Sequence, residues 1–131
     1  MPDRRRPVPS GVLVATGGFT GAIARFLVDE AMGASLQSTL LVNVVGSCAL
    51  ALLLARLLDA SGSELPTGRR RLQRFGATGF LSSFTTYSTF VVGTLKQEPA
   101  VAVGYVLATY AAGFAAAGLG LAAGRWRGER R

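Results

Sequence analysis

Charged residues leave four long stretches of this chain entirely uncharged, and the stretches together hold 90 of its 131 residues. They run from Pro7 to Ala24, from Ala31 to Ala55, from Phe75 to Leu95 and from Pro99 to Gly124. Because an α-helix rises about 1.5 Å per residue, about 20 residues cross the hydrocarbon core of a bilayer. The pattern therefore predicts an all-α membrane protein that forms a single domain over residues 1–131. Its four transmembrane helices are expected at about residues 8–28, 36–56, 75–95 and 100–123.

The composition agrees with lipid as the solvent. Half of the residues are hydrophobic and 16% are charged, whereas about a quarter of a soluble domain is charged. The chain has no histidine and one cysteine, Cys48. A disulfide within the chain and a metal site built from several cysteines are therefore excluded.

The cations indicate how the chain is oriented in the membrane. In a four-span topology the N-terminus, the second loop and the C-terminus share one side, and they hold 12 of the 14 Lys and Arg residues. These are Arg4, Arg5, Arg6, Arg56, Arg69, Arg70, Arg71, Arg74, Arg125, Arg127, Arg130 and Arg131. The other side holds Arg25 and Lys96. By the positive-inside rule we expect a multi-pass protein of the cell membrane with both termini in the cytoplasm.

The basic run from Arg4 to Arg6 before an apolar stretch is also typical of a signal peptide. Glycines interrupt that stretch, it runs into Arg25, and three more spans follow with no soluble domain to export. We therefore interpret it as the first span. Basic residues beside a span set topology far more often than they bind nucleic acid, so we expect lipid as a partner and no nucleic acid.

Small and polar residues of the first predicted span follow helical spacing. Gly17 and Gly21 form a GxxxG pair, which favours close helix packing. Arg25 continues the same face and has two interpretations: it reaches the outer interface, with Asp29 and Glu30 in range, or it attracts anions.

In the second span Thr39, Asn43 and Ser47 lie on one face at intervals of four residues. A lone Asn in a span most often forms a hydrogen bond between helices. The row of hydroxyl, amide and hydroxyl favours instead a hydrated track along this face.

The third span is the least ordinary, because residues 82–89 contain six hydroxyl side chains. These are Ser82, Ser83, Thr85, Thr86, Ser88 and Thr89. Such side chains compete for backbone hydrogen bonds, and β-branched threonines disfavour the helix. We therefore predict that the helix breaks near the bilayer midplane. A break at that depth is tolerated only where it is buried or lines a cavity, and unwound carbonyls there are typical of an ion site.

The fourth span combines a packing face with two hydroxyls. Small residues recur every four positions, at Gly104, Ala108, Ala112, Ala116, Gly120 and Gly124, and this stripe predicts close packing. Tyr105 and Thr109 lie beside the stripe, one turn apart. They either bond to a neighbouring helix or form a second polar track.

The predicted spans contain no Asp, Glu, Lys or His. This disfavours a small proton-coupled multidrug exporter, which works through an acidic residue in its first span. No nucleophile with an adjacent base and no phosphate-binding glycine loop is present, so we do not expect an enzyme. Neutral donors remain: amide, hydroxyl groups and the electropositive edges of aromatic rings. Such donors suit a small anion, which they can dehydrate stepwise without trapping it.

These motifs resemble the Fluc fluoride channels, also called CrcB proteins, over nearly the whole chain. Gly17-Gly18 with Gly21-Ala22 and Arg25 is similar to the family's first-span motif, and Thr39 to Gly46 to its second. The run from Gly79-Phe80 through Thr85-Thr86-Tyr87-Ser88-Thr89-Phe90 resembles the third and is very specific. The resemblance implies passive export of fluoride, which lowers its toxicity in the cytoplasm. It also implies an antiparallel dimer with two fluoride pathways and a structural Na+ on the twofold axis.

The resemblance also implies roles for individual residues. Asn43 matches the pore asparagine, and Tyr87 and Phe90 match the two aromatic positions whose ring edges line the pathway. Other expected pathway residues are Thr39, Ser88, Thr89, Tyr105 and Thr109. The main-chain carbonyls of Ser82 and Thr85, from both subunits, are the expected Na+ ligands.

Two positions depart from the family pattern. Position 87 is usually Phe and is Tyr here, which adds a hydroxyl at the aromatic pair and is expected to alter conduction. Position 82 is usually Gly and is Ser here, which strains the break if that residue needs a positive φ.

The charge distribution predicts the partner in the dimer. An antiparallel homodimer requires one sequence to insert in both orientations, but 12 cations against two favour one orientation. We therefore expect an oppositely oriented paralogue as partner. Purified chain alone, reconstituted in liposomes, should show little fluoride efflux until a candidate paralogue is added, as followed with a fluoride electrode. Robust flux from a homodimer would refute an obligate heterodimer.

Overall fold

The computed structural model describes residues 8–58 and 67–128, and every regular element in these two ranges is helical. Helix α1 spans Ser10–Ala31 and α2 spans Leu36–Leu58. Helix α3 covers residues 67–84 and changes its geometry along its length: an α-helical turn at Thr67–Leu72, a π-helix at Gln73–Leu81 and a short α-helical end at Ser82–Phe84. Helix α4 spans Ser88–Leu95 and α5 spans Pro99–Gly128.

In the described ranges three helices, α1, α2 and α5, are long and apolar enough to cross a membrane. The all-α class is confirmed, and the protein is a multi-pass membrane protein. The third of the four predicted spans is represented by α3 and α4, which are separate elements. The four-span count and the dimer stay predictions.

The helix break expected among residues 82–89 lies at residues 85–87. Helix α3 ends at Phe84, Thr85 has an extended backbone with φ −75° and ψ 158°, and α4 begins at Ser88. At about 1.5 Å per residue, α4 is about 12 Å long and is far too short to cross a bilayer alone. Its depth in the membrane stays a prediction.

Sequence patterns did not predict the π-helix, which is a rare conformation. The π-helix packs against α1, and glycines of both helices lie at the contact. A Cβ atom at Gly17 would lie 2.2 Å from the Phe75 carbonyl oxygen, and one at Gly21 would lie 2.2 Å from the Phe80 carbonyl oxygen. A Cβ atom at Gly79 would lie 2.6 Å from the Val14 carbonyl oxygen. The GxxxG interpretation of α1 is therefore confirmed, with α3 as its partner.

Helices α2 and α5 also pack backbone to backbone, but over only part of the predicted stripe. A Cβ atom at Gly120 would lie 2.3 Å from the Cys48 carbonyl oxygen, and one at Gly124 would lie 2.5 Å from Ala55 Cβ. The prediction is wrong at Gly104, which is exposed and where a Cβ atom would meet no described atom within 4 Å. Next to Gly104, the ring of Tyr105 packs against the ring of Phe90 of α4.

The charged residues divide between the two ends of the helices. Contacts from Ala55 to Gly124 and from Leu53 to Gly76 place the end of α2, the middle of α3 and the end of α5 together. This end carries seven arginines of the described ranges: Arg56, Arg69, Arg70, Arg71, Arg74, Arg125 and Arg127. The described acidic residues, Asp29, Glu30 and Glu98, lie at the end of α1 or precede α5, at the opposite ends of those helices. Arg4, Arg5, Arg6, Arg130 and Arg131 lie outside the described residues, and the orientation stays a prediction.

The α1–α3 contact makes a sharp prediction about stability. In Gly21→Ala the new methyl group meets main-chain atoms of Phe80, which cannot rotate away, so we expect a loss of about 1–3 kcal/mol. Gly11→Ala is the matched control in the same helix, because nothing lies within 4 Å of its Cβ position. We expect that variant to be neutral or more stable by up to about 1 kcal/mol. Equal melting temperatures of the two purified variants in detergent would contradict the contact.

Candidate functional site

The centre of the site is the contact between Asn43 of α2 and the break that follows α3. Asn43 Nδ2 donates to the Thr86 carbonyl oxygen at 2.9 Å, and the Thr86 N–H donates to Asn43 Oδ1 at 2.8 Å. One side-chain amide therefore satisfies both main-chain groups of Thr86. Gly46, one turn along α2, gives Thr85 its space, because a Cβ there would lie 2.2 Å from Thr85 Cγ2.

Thr86 itself starts the helix that follows the break. Its Oγ1 accepts a hydrogen bond from the Thr89 N–H at 3.3 Å and lies 3.0 Å from Thr89 Oγ1. Tyr87 is the N-cap residue of this helix, and the Thr86 hydroxyl, one residue earlier, satisfies a free N–H of the first turn as a capping side chain does. The Thr86 side chain is buried, so the cap is shielded from solvent.

Arg25 reaches the break from α1. Its Nη1 donates to the Thr85 carbonyl oxygen at 3.4 Å, whereas Asp29 accepts from the Ser38 hydroxyl at 2.6 Å. Of the two sequence interpretations, an interfacial pair with Asp29 or Glu30 and a role near the anion path, the structure favours a position beside the break.

A cavity of about 230 Å³, which we call the break cavity, opens at this point. It is lined by Asn43, Thr85, Thr86, Tyr87, Phe90, Thr109 and Tyr110. Asn43 carries two amide hydrogens, and the Thr86 carbonyl takes one of them. Thr109 Oγ1 is buried and forms no hydrogen bond of normal geometry with the described residues, although Tyr105, one turn earlier on the same helix, lies close enough for a weak one. The cavity thus offers hydrogen-bond donors and no carboxylate.

Aromatic rings form one wall of the break cavity. Phe90 is buried, and its ring centroid lies 6.0 Å from that of Tyr87 and 5.6 Å from that of Tyr105. Tyr110 meets Phe90 edge to face at 85°. The Tyr105 hydroxyl donates to the Leu36 carbonyl oxygen at 3.1 Å, so it joins α5 to α2. Tyr87 is 72% exposed, which leaves this wall open on one side.

A second cavity, of about 490 Å³, lies beside the turn between α1 and α2, and we call it the loop cavity. Its lining residues are Ala34, Ser35, Leu36, Thr39, Ser88, Thr89, Val92, Gly93, Lys96 and Gln97. It therefore combines hydroxyl groups with one cation, and no acidic residue lines it.

The two cavities account for most of the predicted pathway residues. Asn43, Tyr87, Phe90 and Thr109 line the break cavity, and Thr39, Ser88 and Thr89 line the loop cavity. Tyr105 packs on Phe90. Ser47 was the third member of the polar stripe on α2, but it is absent from both linings.

Ser82 and Thr85, the two expected Na+ ligands, lie on either side of the end of α3. Ser82 has φ −68° and ψ −25°, so the expected strain of a Ser at this position does not arise. In the described ranges a positive φ occurs only at Gly33 and Ala34.

Sequence reasoning missed Tyr110, Lys96, Gln97 and Ser35 as lining residues. Lys96 is the chain's one lysine, and this feature could have identified it as a candidate from the sequence. The lining role of Tyr110 depends on how α5 is rotated, which spacing along the chain does not reveal.

The chain is similar to known proteins over most of its length. Residues 12–121 match the family model described as CrcB-like protein, Camphor Resistance. The chain is 45% identical over 104 residues to the fluoride-specific ion channel FluC 1 of Haloarcula marismortui, covering 79% of this chain and 76% of that protein. It is 43% identical over 123 residues to FluC 2 of Halobacterium salinarum, covering 93% and 92%. It is 36% identical over 121 residues to FluC of Thermotoga maritima, covering 86% and 91%.

The buried hydroxyl of Thr109 predicts an unusual mutational result. Because this group forms at most a weak hydrogen bond with Tyr105 and none of normal geometry, the isosteric change Thr109→Val removes a desolvated polar atom at little cost in bonding. We expect a melting temperature in detergent equal to or above that of the wild type. The same change at the bonded hydroxyl, Thr86→Val, should lower stability by about 1 kcal/mol. A clear loss for Thr109→Val would show that its hydroxyl has a partner.

Proposed function

The chain belongs to the CrcB family, and from that membership we propose that it is a fluoride channel, through which F− leaves the cytoplasm passively and so becomes less toxic there. The observation that carries the proposal is the break cavity. It brings the side-chain amide of Asn43 and the buried hydroxyl of Thr109 together beside the ring of Phe90. The prediction that the chain is not an enzyme agrees with the names of its relatives, which are ion channels.

The chemistry of the break cavity suits a small, strongly hydrated anion. Neutral N–H and O–H donors and the positive edges of aromatic rings replace water molecules one at a time. No carboxylate lines the cavity to repel an anion. The one nearby cation among the described residues, Arg25, is engaged by the Thr85 carbonyl. The anion is therefore stabilised without being held by a fixed positive charge.

The loop cavity is the proposed entrance on the same pathway. Thr39, Ser88 and Thr89 provide hydroxyl groups, and Lys96 provides a positive charge at its wall. A cation in a cleft raises the local concentration of anions and their rate of entry. Ser88 and Thr89 begin α4, immediately after the residues that line the break cavity, so the two cavities follow each other along the chain.

We propose that the working unit is an antiparallel dimer, with an oppositely oriented paralogue as the second subunit. The exposed Tyr87 ring supports a second subunit, because one wall of the break cavity is open in the single chain. The cation bias in the sequence supports a paralogue with the opposite orientation. We expect this pair in the cell membrane with both termini of this chain in the cytoplasm.

A structural Na+ fits the residues at the break. Thr85 has an extended backbone, and Ser82 lies in the last turn before the break, and unwound main-chain carbonyls are typical Na+ ligands in membrane proteins. The Thr85 carbonyl accepts from the guanidinium of Arg25 and has a second lone pair for a further ligand. Bound between two subunits, Na+ would supply the positive charge that joins their breaks.

A second candidate function is a non-conducting subunit that completes the fold of an active paralogue. The cation bias and Tyr87, in place of the usual Phe, favour a subunit specialised within a pair. In that case the break cavity of this chain carries no ions, and changes to its lining leave the flux unchanged. The two functions therefore predict opposite results for the same substitution.

Asn43→Asp is that substitution. A carboxylate about 4 Å from a passing anion raises its energy by about 4 kcal/mol at an effective dielectric constant of 20. We expect fluoride efflux from liposomes that contain the assembled channel to fall at least about 100-fold. Ser47→Ala is the matched control, one turn along the same helix and outside both cavities, and it should conduct like the wild type. Equal efflux with and without Asn43→Asp would assign the pathway to other residues.

A further inference from the structure

Two main-chain N–H groups at the break donate to side chains and not to the carbonyl four residues earlier. In an uninterrupted helix the Thr86 N–H would bond to the Ser82 carbonyl, but it donates to Asn43 Oδ1 at 2.8 Å. The Thr89 N–H would bond to the Thr85 carbonyl, but it donates to Thr86 Oγ1 at 3.3 Å. Each donation to a side chain therefore releases one carbonyl.

The released carbonyls are those of Ser82 and Thr85. The Thr85 N–H, one residue earlier than Thr86, still donates to the Leu81 carbonyl at 3.1 Å. The Val91 N–H, after the break, donates to the Tyr87 carbonyl at 2.9 Å. The carbonyls of Ser83 and Phe84, between them, also lack a helical donor, but only at Ser82 and Thr85 does a side chain take the N–H that would otherwise occupy the carbonyl.

We propose that Asn43 and Thr86 are positioning residues for a cation, because their side chains keep the Ser82 and Thr85 carbonyls out of helical hydrogen bonds; the Thr85 carbonyl accepts from Arg25 and keeps its second lone pair for a ligand. The inference rests on the Na+ of the proposed function and does not depend on which anion is conducted. It gives Asn43 two tasks: the Oδ1 atom and one amide hydrogen fix the break, and the second amide hydrogen remains for the break cavity.

The proposal predicts what happens when either side chain loses its acceptor. In Asn43→Leu the Thr86 N–H has no side-chain partner, and the Ser82 carbonyl becomes its best acceptor. In Thr86→Val the Thr89 N–H turns to the Thr85 carbonyl in the same way. A carbonyl that accepts a helical hydrogen bond is a weaker and less accessible ligand, so we expect the apparent sodium affinity to fall by about fivefold per carbonyl.

The test measures sodium binding through stability and not through ion flux. The melting temperature of the purified channel assembly is recorded against NaCl concentration, with choline chloride keeping the ionic strength constant. For the wild type we expect a sodium-dependent rise. For Asn43→Leu and Thr86→Val the midpoint of that rise should shift to at least about fivefold higher sodium. A merely structural loss would lower all melting temperatures equally and leave the midpoint in place.

Two conservative variants complete the experiment. Thr86→Ser keeps the hydroxyl acceptor, and Ser47→Ala alters the same face of α2 without contact to the break, so both should keep the wild-type midpoint. If Asn43→Leu does not fold, the comparison of Thr86→Val with Thr86→Ser decides alone. The proposal is overturned if the wild type shows no sodium-dependent rise, or if Thr86→Val keeps the wild-type midpoint. Fluoride efflux, measured separately, tests the proposed function.

Discussion

A backbone N–H or C=O group without a partner costs several kcal/mol in a membrane interior, so a broken helix there needs substitutes for the bonds it loses. At residues 85–87 two side chains provide three of them. The Asn43 amide bonds both main-chain groups of Thr86, and the Thr86 hydroxyl caps the next helix at Thr89. The cavity, the free carbonyls and the position of Phe90 all follow from this exchange of main-chain for side-chain bonds.

Close glycine packing keeps the exchange in place. Gly17 and Gly21 bring α1 against the carbonyls of the π-helix, and Gly120 brings α5 against the Cys48 carbonyl of α2. This packing holds Asn43 of α2 near the end of α3. It also holds Thr109 of α5 beside α2. Because the helices meet through backbone at these points, the polar side chains converge at the break while large apolar side chains such as Leu107 and Phe114 remain on the outer surface.

The helical class and the break could be predicted from the sequence. An uncharged stretch long enough to cross a bilayer predicts a helix, and a run of six hydroxyl residues predicts a break because their side chains compete for backbone hydrogen bonds. The π-helix could not, because its bonding depends on α1 lying against residues 75–80, which no local pattern encodes. The same limit explains Gly104 and Ser47. Their spacing matched a packing face and a polar track, but a Cβ atom at Gly104 meets no described atom within 4 Å, and Ser47 lies near Gly113 of α5, outside both cavities.

The most direct test of this account is whether Asn43 holds the break in a bilayer. Solid-state NMR of the isotopically labelled channel can identify the acceptor of the Thr86 amide proton through its correlation with a carbonyl carbon. The account predicts a correlation with the side-chain Cγ of Asn43, with the Ser82 carbonyl carbon showing no such contact. A Thr86 amide bonded to the Ser82 carbonyl, as in a continuous helix through residues 82–95, would contradict it.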